Sequence, residues 1–90
     1  MDEIELNKKQ AKGARAEELL KNELLQETLN YLKSEYISAW LNTRPQDADY
    51  RERFWQAAQI VGKIHDHISK FATDGRIATK DLASIKYLKR

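Results

Sequence analysis

Residues 50–71, YRERFWQAAQIVGKIHDHISKF, decide the fold. Apolar side chains recur at Tyr50, Phe54, Ala57, Val61, Ile64, Ile68 and Phe71, in steps of four and three that place them on one helical stripe. Ala58, His65 and Ala72 lie beside it, so the apolar face is broad enough for more than one packing partner. Upstream, Asn42-Thr43-Arg44-Pro45-Gln46-Asp47 interrupts the pattern. Pro45 has no amide proton to donate and biases Arg44 away from helical backbone angles. Asp47 or Asp49 can cap the helix that follows, and Glu52 stands three residues after Asp49, as in a capping box. Downstream, Thr73-Asp74-Gly75 reads as the end, with Gly75 as the left-handed closing residue. The second long helix is therefore expected over about 47–73.

On the other side of Pro45 a matching stripe runs through Leu25, Leu29, Leu32, Tyr36 and Ala39, within a segment rich in Ala, Leu and Glu. It predicts a helix over about 14–42, either kinked at Asn22 or restarted there with Asn22 as its cap. Thr79 opens a third, short helix over about 79–89 that carries Leu82, Ile85 and Leu88. Residues 1–12 read as a flexible segment and 13–90 as a single helical domain. No run alternates as a strand does. The fold class is all-α: an antiparallel hairpin of two long helices plus a short C-terminal helix. Trp40 and Trp55 flank the connection and are expected to meet near its closed end. A lone hairpin cannot bury two such stripes, so either the first and third helices fold back over them or another copy of the chain covers them, and the near-heptad spacing makes self-association one expectation. Gly62 stands inside the best helix, where glycine is about 1 kcal/mol worse than alanine. That choice points to close approach of another helix.

Composition excludes several classes. The chain has 90 residues, no cysteine, one proline and three glycines, with 33% charged side chains. A chain this short leaves little room for an internal active-site cavity. There is no thiolate nucleophile, disulfide framework or thiolate metal site. No apolar run has the length of a membrane span, and the acidic start Met1-Asp2-Glu3 is unlike a signal peptide. The net charge of +2 is uneven. From Arg76 onward five basic residues face only Asp81, whereas residues 1–75 carry eleven basic and thirteen acidic ones.

The remaining candidates for chemistry are weak. His65 and His67 flank Asp66, but two residues apart on a helix they point roughly 200° from each other, which does not suit a shared metal ion. No glycine run cradles a phosphate and no serine stands in a glycine elbow. The chain is read as non-enzymatic, with no catalytic, cofactor-binding or metal residues. Arg51, Glu52 and Arg53 read as helix-start pairing, Glu52 with Gln56 and Arg51 with Asp47. Trp40, Trp55 and Gly62 are the candidate protein-interface residues. Lys80, Lys86, Lys89 and Arg90 are the candidates for contacting DNA through its backbone.

The runs Arg15-Ala16-Glu17-Glu18-Leu19-Leu20-Lys21-Asn22 and Tyr36-Ile37-Ser38-Ala39-Trp40 resemble small uncharacterised helical proteins encoded by tailed phages and prophages. So do Arg51-Glu52-Arg53-Phe54-Trp55, Val61-Gly62-Lys63-Ile64 and Asp74-Gly75-Arg76-Ile77-Ala78, the likeness covering residues 14 to 83. Such proteins tend to be encoded near head, portal and packaging genes. The resemblance implies a part in virion assembly or DNA packaging, by docking to a protein partner or by self-assembly. It also implies a place in the host cytoplasm or on the virion. The alternatives are a DNA-binding packaging subunit of the small-terminase kind, using the basic C-terminal tail, and an inhibitor of a host protein.

Overall fold

The computed structural model describes residues 2–88, and all of its regular structure is helical: α1 (Glu3–Leu20), α2 (Glu23–Leu41) and α3 (Ala48–Leu88). Among the described residues there is no strand. The chain divides into two compact units. Unit 1 joins the segment up to Lys21 with the segment from His67 onward, and unit 2 is Asn22–Asp66.

Unit 1 begins where a flexible segment was expected. The Asp2 side chain accepts a hydrogen bond from the Ile4 amide at 3.2 Å, and Glu3 and Glu5 place negative charge in the first turn. Both features stabilise the positive end of a helix. Leu6 is only 2% exposed, and burying such a side chain contributes roughly 1.5–3 kcal/mol. The cap and this one anchor make residues 3–12 helical. The helix stops at Leu20 because Asn22 takes an extended conformation and starts α2, its side chain accepting from the Leu25 amide at 2.9 Å. Of the two readings of Asn22, a kink or a cap, the structure has the cap.

The break expected at Gly75 is absent. α3 runs through Thr73, Gly75 and Thr79 without interruption, and no described glycine has a positive φ. Thr79 does not cap a third helix. Its hydroxyl donates to the Gly75 carbonyl one turn back, at 3.0 Å, and accepts from Gln10 of α1. The reason lies in packing. A Cβ built on Gly13 would stand 2.6 Å from the Gly75 Cα, and one on Gly75 would stand 2.7 Å from the Gly13 Cα. The two helices touch backbone to backbone, and only a pair of glycines leaves room for it. Ala16, Ala72 and Ala78 are buried in the same unit. Around this crossing lie the Lys12 ammonium, 4.2 Å from the Phe71 ring centre, and the Arg76–Glu17 ion pair at 3.1 Å.

Unit 2 is built differently. Leu25, Leu29, Leu32, Tyr36, Ala39 and Trp40 of α2 are half-buried, and no residue of α2 is fully buried. Its buried residues, Ala58 and Val61, belong to α3. The connection 42–47 is closed by Asp47, whose amide donates to the Arg44 carbonyl at 2.9 Å. The Asp47 carboxylate accepts from the Arg44 amide and pairs with its guanidinium at 3.4 Å. Arg44 therefore takes the partner expected for Arg51.

Candidate protein-docking site

Trp40 and Trp55 line one cavity, with Pro45, Ala48, Arg51 and Glu52. Its volume is about 400 Å³. Trp40 stands in the last turn of α2, Trp55 in the third turn of α3, and the Pro45 loop folds between them. Thr43 organises the wall. Its hydroxyl donates to the Trp40 carbonyl at 2.6 Å and accepts from Arg51 Nη1 at 2.9 Å. That bond holds the Arg51 guanidinium 5.1 Å from the centre of the Trp40 ring. A cation over an indole face is worth about 0.5–1 kcal/mol where solvent reaches it. Arg51 thus satisfies one face of Trp40, while Trp55, half exposed at 50%, keeps its indole open. Glu52 accepts from Gln56 at 3.1 Å on the outer rim, the pairing read from their spacing.

A cavity lined by two indoles and a proline has room for an apolar or aromatic group. Its lining joins Trp40, Trp55, Pro45 and Ala48 with the charged Arg51 and Glu52, which can orient what enters. Thr43 and the Arg51–Trp40 stacking escape a reading of the sequence, because they join residues across the loop at spacings of eight and eleven. The threonine and arginine near an aromatic residue are the only hint.

Gly62 is not part of that cavity. It lines a separate groove of about 630 Å³ in unit 2, with Gln26, Leu29, Asn30 and Lys33 of α2 on one wall and Ala58, Gln59 and Asp66 of α3 on the other. Beyond its own stretch of helix, nothing among the described residues lies within 4 Å of a Cβ built on Gly62, so the close helix approach expected there is not found among them. It occurs at Gly13 and Gly75 instead.

His65 and His67 are both exposed. His65 Nδ1 is 3.8 Å from the exposed Asp66 carboxylate. Among the described residues no three His, Cys, Asp or Glu side chains converge as a metal site would require. Lys80 and Lys86 are exposed on α3, but six residues apart they stand roughly 120° from each other around the helix and do not form one face. Lys89 and Arg90 lie outside the described residues. In α2 the Tyr31 hydroxyl donates to Glu35, and that bond, with the neighbouring negative charge, holds the phenol pKa above its ordinary 10.0. No described helix is long and apolar enough to cross a membrane.

No family model, curated protein or solved structure matches the chain.

Proposed function

We propose that this chain is a non-enzymatic docking protein whose unit 2 offers the Trp40–Trp55 cavity to an apolar or aromatic side chain of a protein partner. The observation that carries the reading is the Trp55 indole, half exposed beside a second tryptophan that is already braced by Arg51. Tryptophan and arginine are enriched among the few residues that dominate interface energies. α2 supports it from the same unit: it buries no residue fully and exposes Leu24, Tyr31, Ile37 and Leu41.

We read unit 2 as an antiparallel hairpin. Its first groove joins Gln26 near the start of α2 to Asp66, while Lys33 and Ala58 line the same groove at smaller separation. Trp40 and Trp55 then close the loop end. The setting in virion assembly or DNA packaging rests on the resemblance to phage proteins. The DNA-binding alternative draws on the basic excess from Arg76 onward.

The test is affinity capture from lysate of the source cell with three forms of the protein. A partner held by wild type and by an Ile77→Ala control, and lost with Trp55→Ala, supports the reading. A partner held equally by all three sinks it. Duplex DNA retained at low salt and released at physiological salt, independently of Trp55, would favour the alternative.

A further inference from the structure

We propose that the Trp40–Trp55 cavity is one end of a longer trough on unit 2, and that the partner enters it as an extended peptide segment. An apolar or aromatic side chain of that segment sits at the two indoles, and its main chain is hydrogen-bonded by Asn30 and Gln59 beside Gly62. The proposal rests on the docking reading given above and names the form in which the partner binds.

Two stripes define the trough. On α2, Gln26, Asn30, Lys33, Ile37 and Trp40 recur in steps of four and three, within an arc of about 80° around the helix. On α3, Arg51, Trp55, Gln59, Gly62 and Asp66 keep to steps of four and three and fill an arc of about the same width. Apart from Ile37, each of these residues lines either the Gly62 groove or the tryptophan cavity, so the two hollows share the same helix edges. Ile37, 40% exposed, stands on the α2 stripe between Lys33 and Trp40 and adds apolar surface between them. Trp40 is about 21 Å along α2 from Gln26, and Trp55 about 17 Å along α3 from Asp66. At about 3.3 Å per residue, an extended segment of about five or six residues spans that length.

Two features select an extended main chain as the occupant. The first is Gly62. It sits inside α3, where glycine is about 1 kcal/mol worse than alanine, and a Cβ built there meets nothing among the described residues beyond its own stretch of helix. An alanine would fit, so packing within the described chain does not account for the glycine. A bare backbone on the wall of a groove lets the main chain of a guest come close. The second is the polar lining. Asn30 and Gln59 stand on opposite walls, and each side-chain amide both donates and accepts. The unpaired N–H and C=O groups of an extended segment need both kinds of partner, whereas a helical guest has already paired its own. Charge argues against a polyanion in the same place. Lys33, Lys63 and Arg51 of the lining face Asp66 and Glu52, and the Arg51 guanidinium is held over Trp40. Signs so nearly balanced give a phosphate backbone no cationic track to follow.

A displayed library of random short peptides, selected against the whole chain, tests the proposal. Selected peptides are expected to carry a large apolar or aromatic residue and to stay non-helical when bound, as read by nuclear magnetic resonance. By fluorescence anisotropy their affinity should fall about thirtyfold or more with Trp55→Ala, as at an interface hot spot. Gly62→Leu fills the trough with a good helix former, so the fold should hold while affinity falls about tenfold. Methylating the peptide's main-chain nitrogens next to the anchor should also cost about tenfold, the effect of one lost hydrogen bond. Ile60→Ala, outside both stripes, should change nothing. Peptides that bind as helices overturn the proposal, as do peptides indifferent to both Gly62→Leu and main-chain methylation. So does a library with no Trp55-dependent binder while a protein partner is still captured through Trp55, and the docking reading then stands alone. If neither peptide nor protein depends on Trp55, both readings fall.

Discussion

Unit 1 and unit 2 are both pairs of helices, yet one closes to backbone contact and the other leaves a groove. In unit 1 the meeting residues are Gly13 and Gly75, flanked by Ala16, Ala72 and Ala78. In unit 2 the facing positions carry Leu25, Leu29, Leu32 and Tyr36, whose bulk keeps them only half-buried. Small residues let two helices bury each other completely over a short span. Large ones hold the helices apart and leave a groove and exposed apolar side chains. Two pairs of helices thus make a tight joint in one place and a looser, grooved pair in the other.

That contrast can be broken most severely at its tightest point. Gly13→Val or Gly75→Val must force the two backbones apart, and a loss of about 3 kcal/mol or more is expected, at the upper end for overpacked cores. Thermal unfolding followed by circular dichroism would read it, and amide exchange should place the loosened region in α1. Leu6→Ala should remove about 2–3 kcal/mol by the same measurement, since Leu6 is the one large side chain fully buried in the chain's described part. Asn22→Ala should cost about 1 kcal/mol through the lost cap and fray the start of α2. Gly62→Ala runs the other way. With open space around a helical glycine, a gain of up to about 1 kcal/mol is expected, and a loss there would mean that something packs on Gly62 after all.

The smallest effect is a titration. With its pKa raised, Tyr31 binds its proton more tightly in the folded chain than in the unfolded one. The resulting stabilisation is complete below pH 10 and fades as the pH rises through the folded value. Ultraviolet absorbance should show the Tyr31 phenol ionising above its ordinary 10.0, and Glu35→Gln should lower that pKa.

Helix content was legible in the sequence wherever periodicity was strong. The break at Pro45 and the helix that follows it stand where the spacing puts them, although Tyr50, Ile64 and Phe71 of the stripe are exposed, and Trp40 and Trp55 share a cavity. The misreadings share one cause. Glycine within a helical pattern signals either a stop or a close approach, and local sequence does not say which. The local pattern predicts a stop at Gly75 and an approach at Gly62, whereas the structure has the approach at Gly75 and open space at Gly62. The partner that settles Gly75 is Gly13, which lies on another helix. The helix over residues 3–12 escapes the local sequence for a related reason: its charge is plain locally, whereas the burial of Leu6 depends on residues around Ile77 and Ala78. The wall of the tryptophan cavity likewise depends on Thr43 turning back towards Arg51.

The make-up of unit 1 bears on how the protein reaches its folded state. Its cross-helix hydrogen bonds join residues 69 and 59 positions apart, Gln10 to Thr79 and Arg76 to Glu17. Unit 2 is a single continuous stretch, so its contacts close shorter loops and lose less chain entropy. An all-helical protein of this size ordinarily folds fast because its contacts are local. Here the middle of the chain is expected to form first, and the glycine joint to lock last. A slow phase that disappears when α1 is deleted would mark that final step.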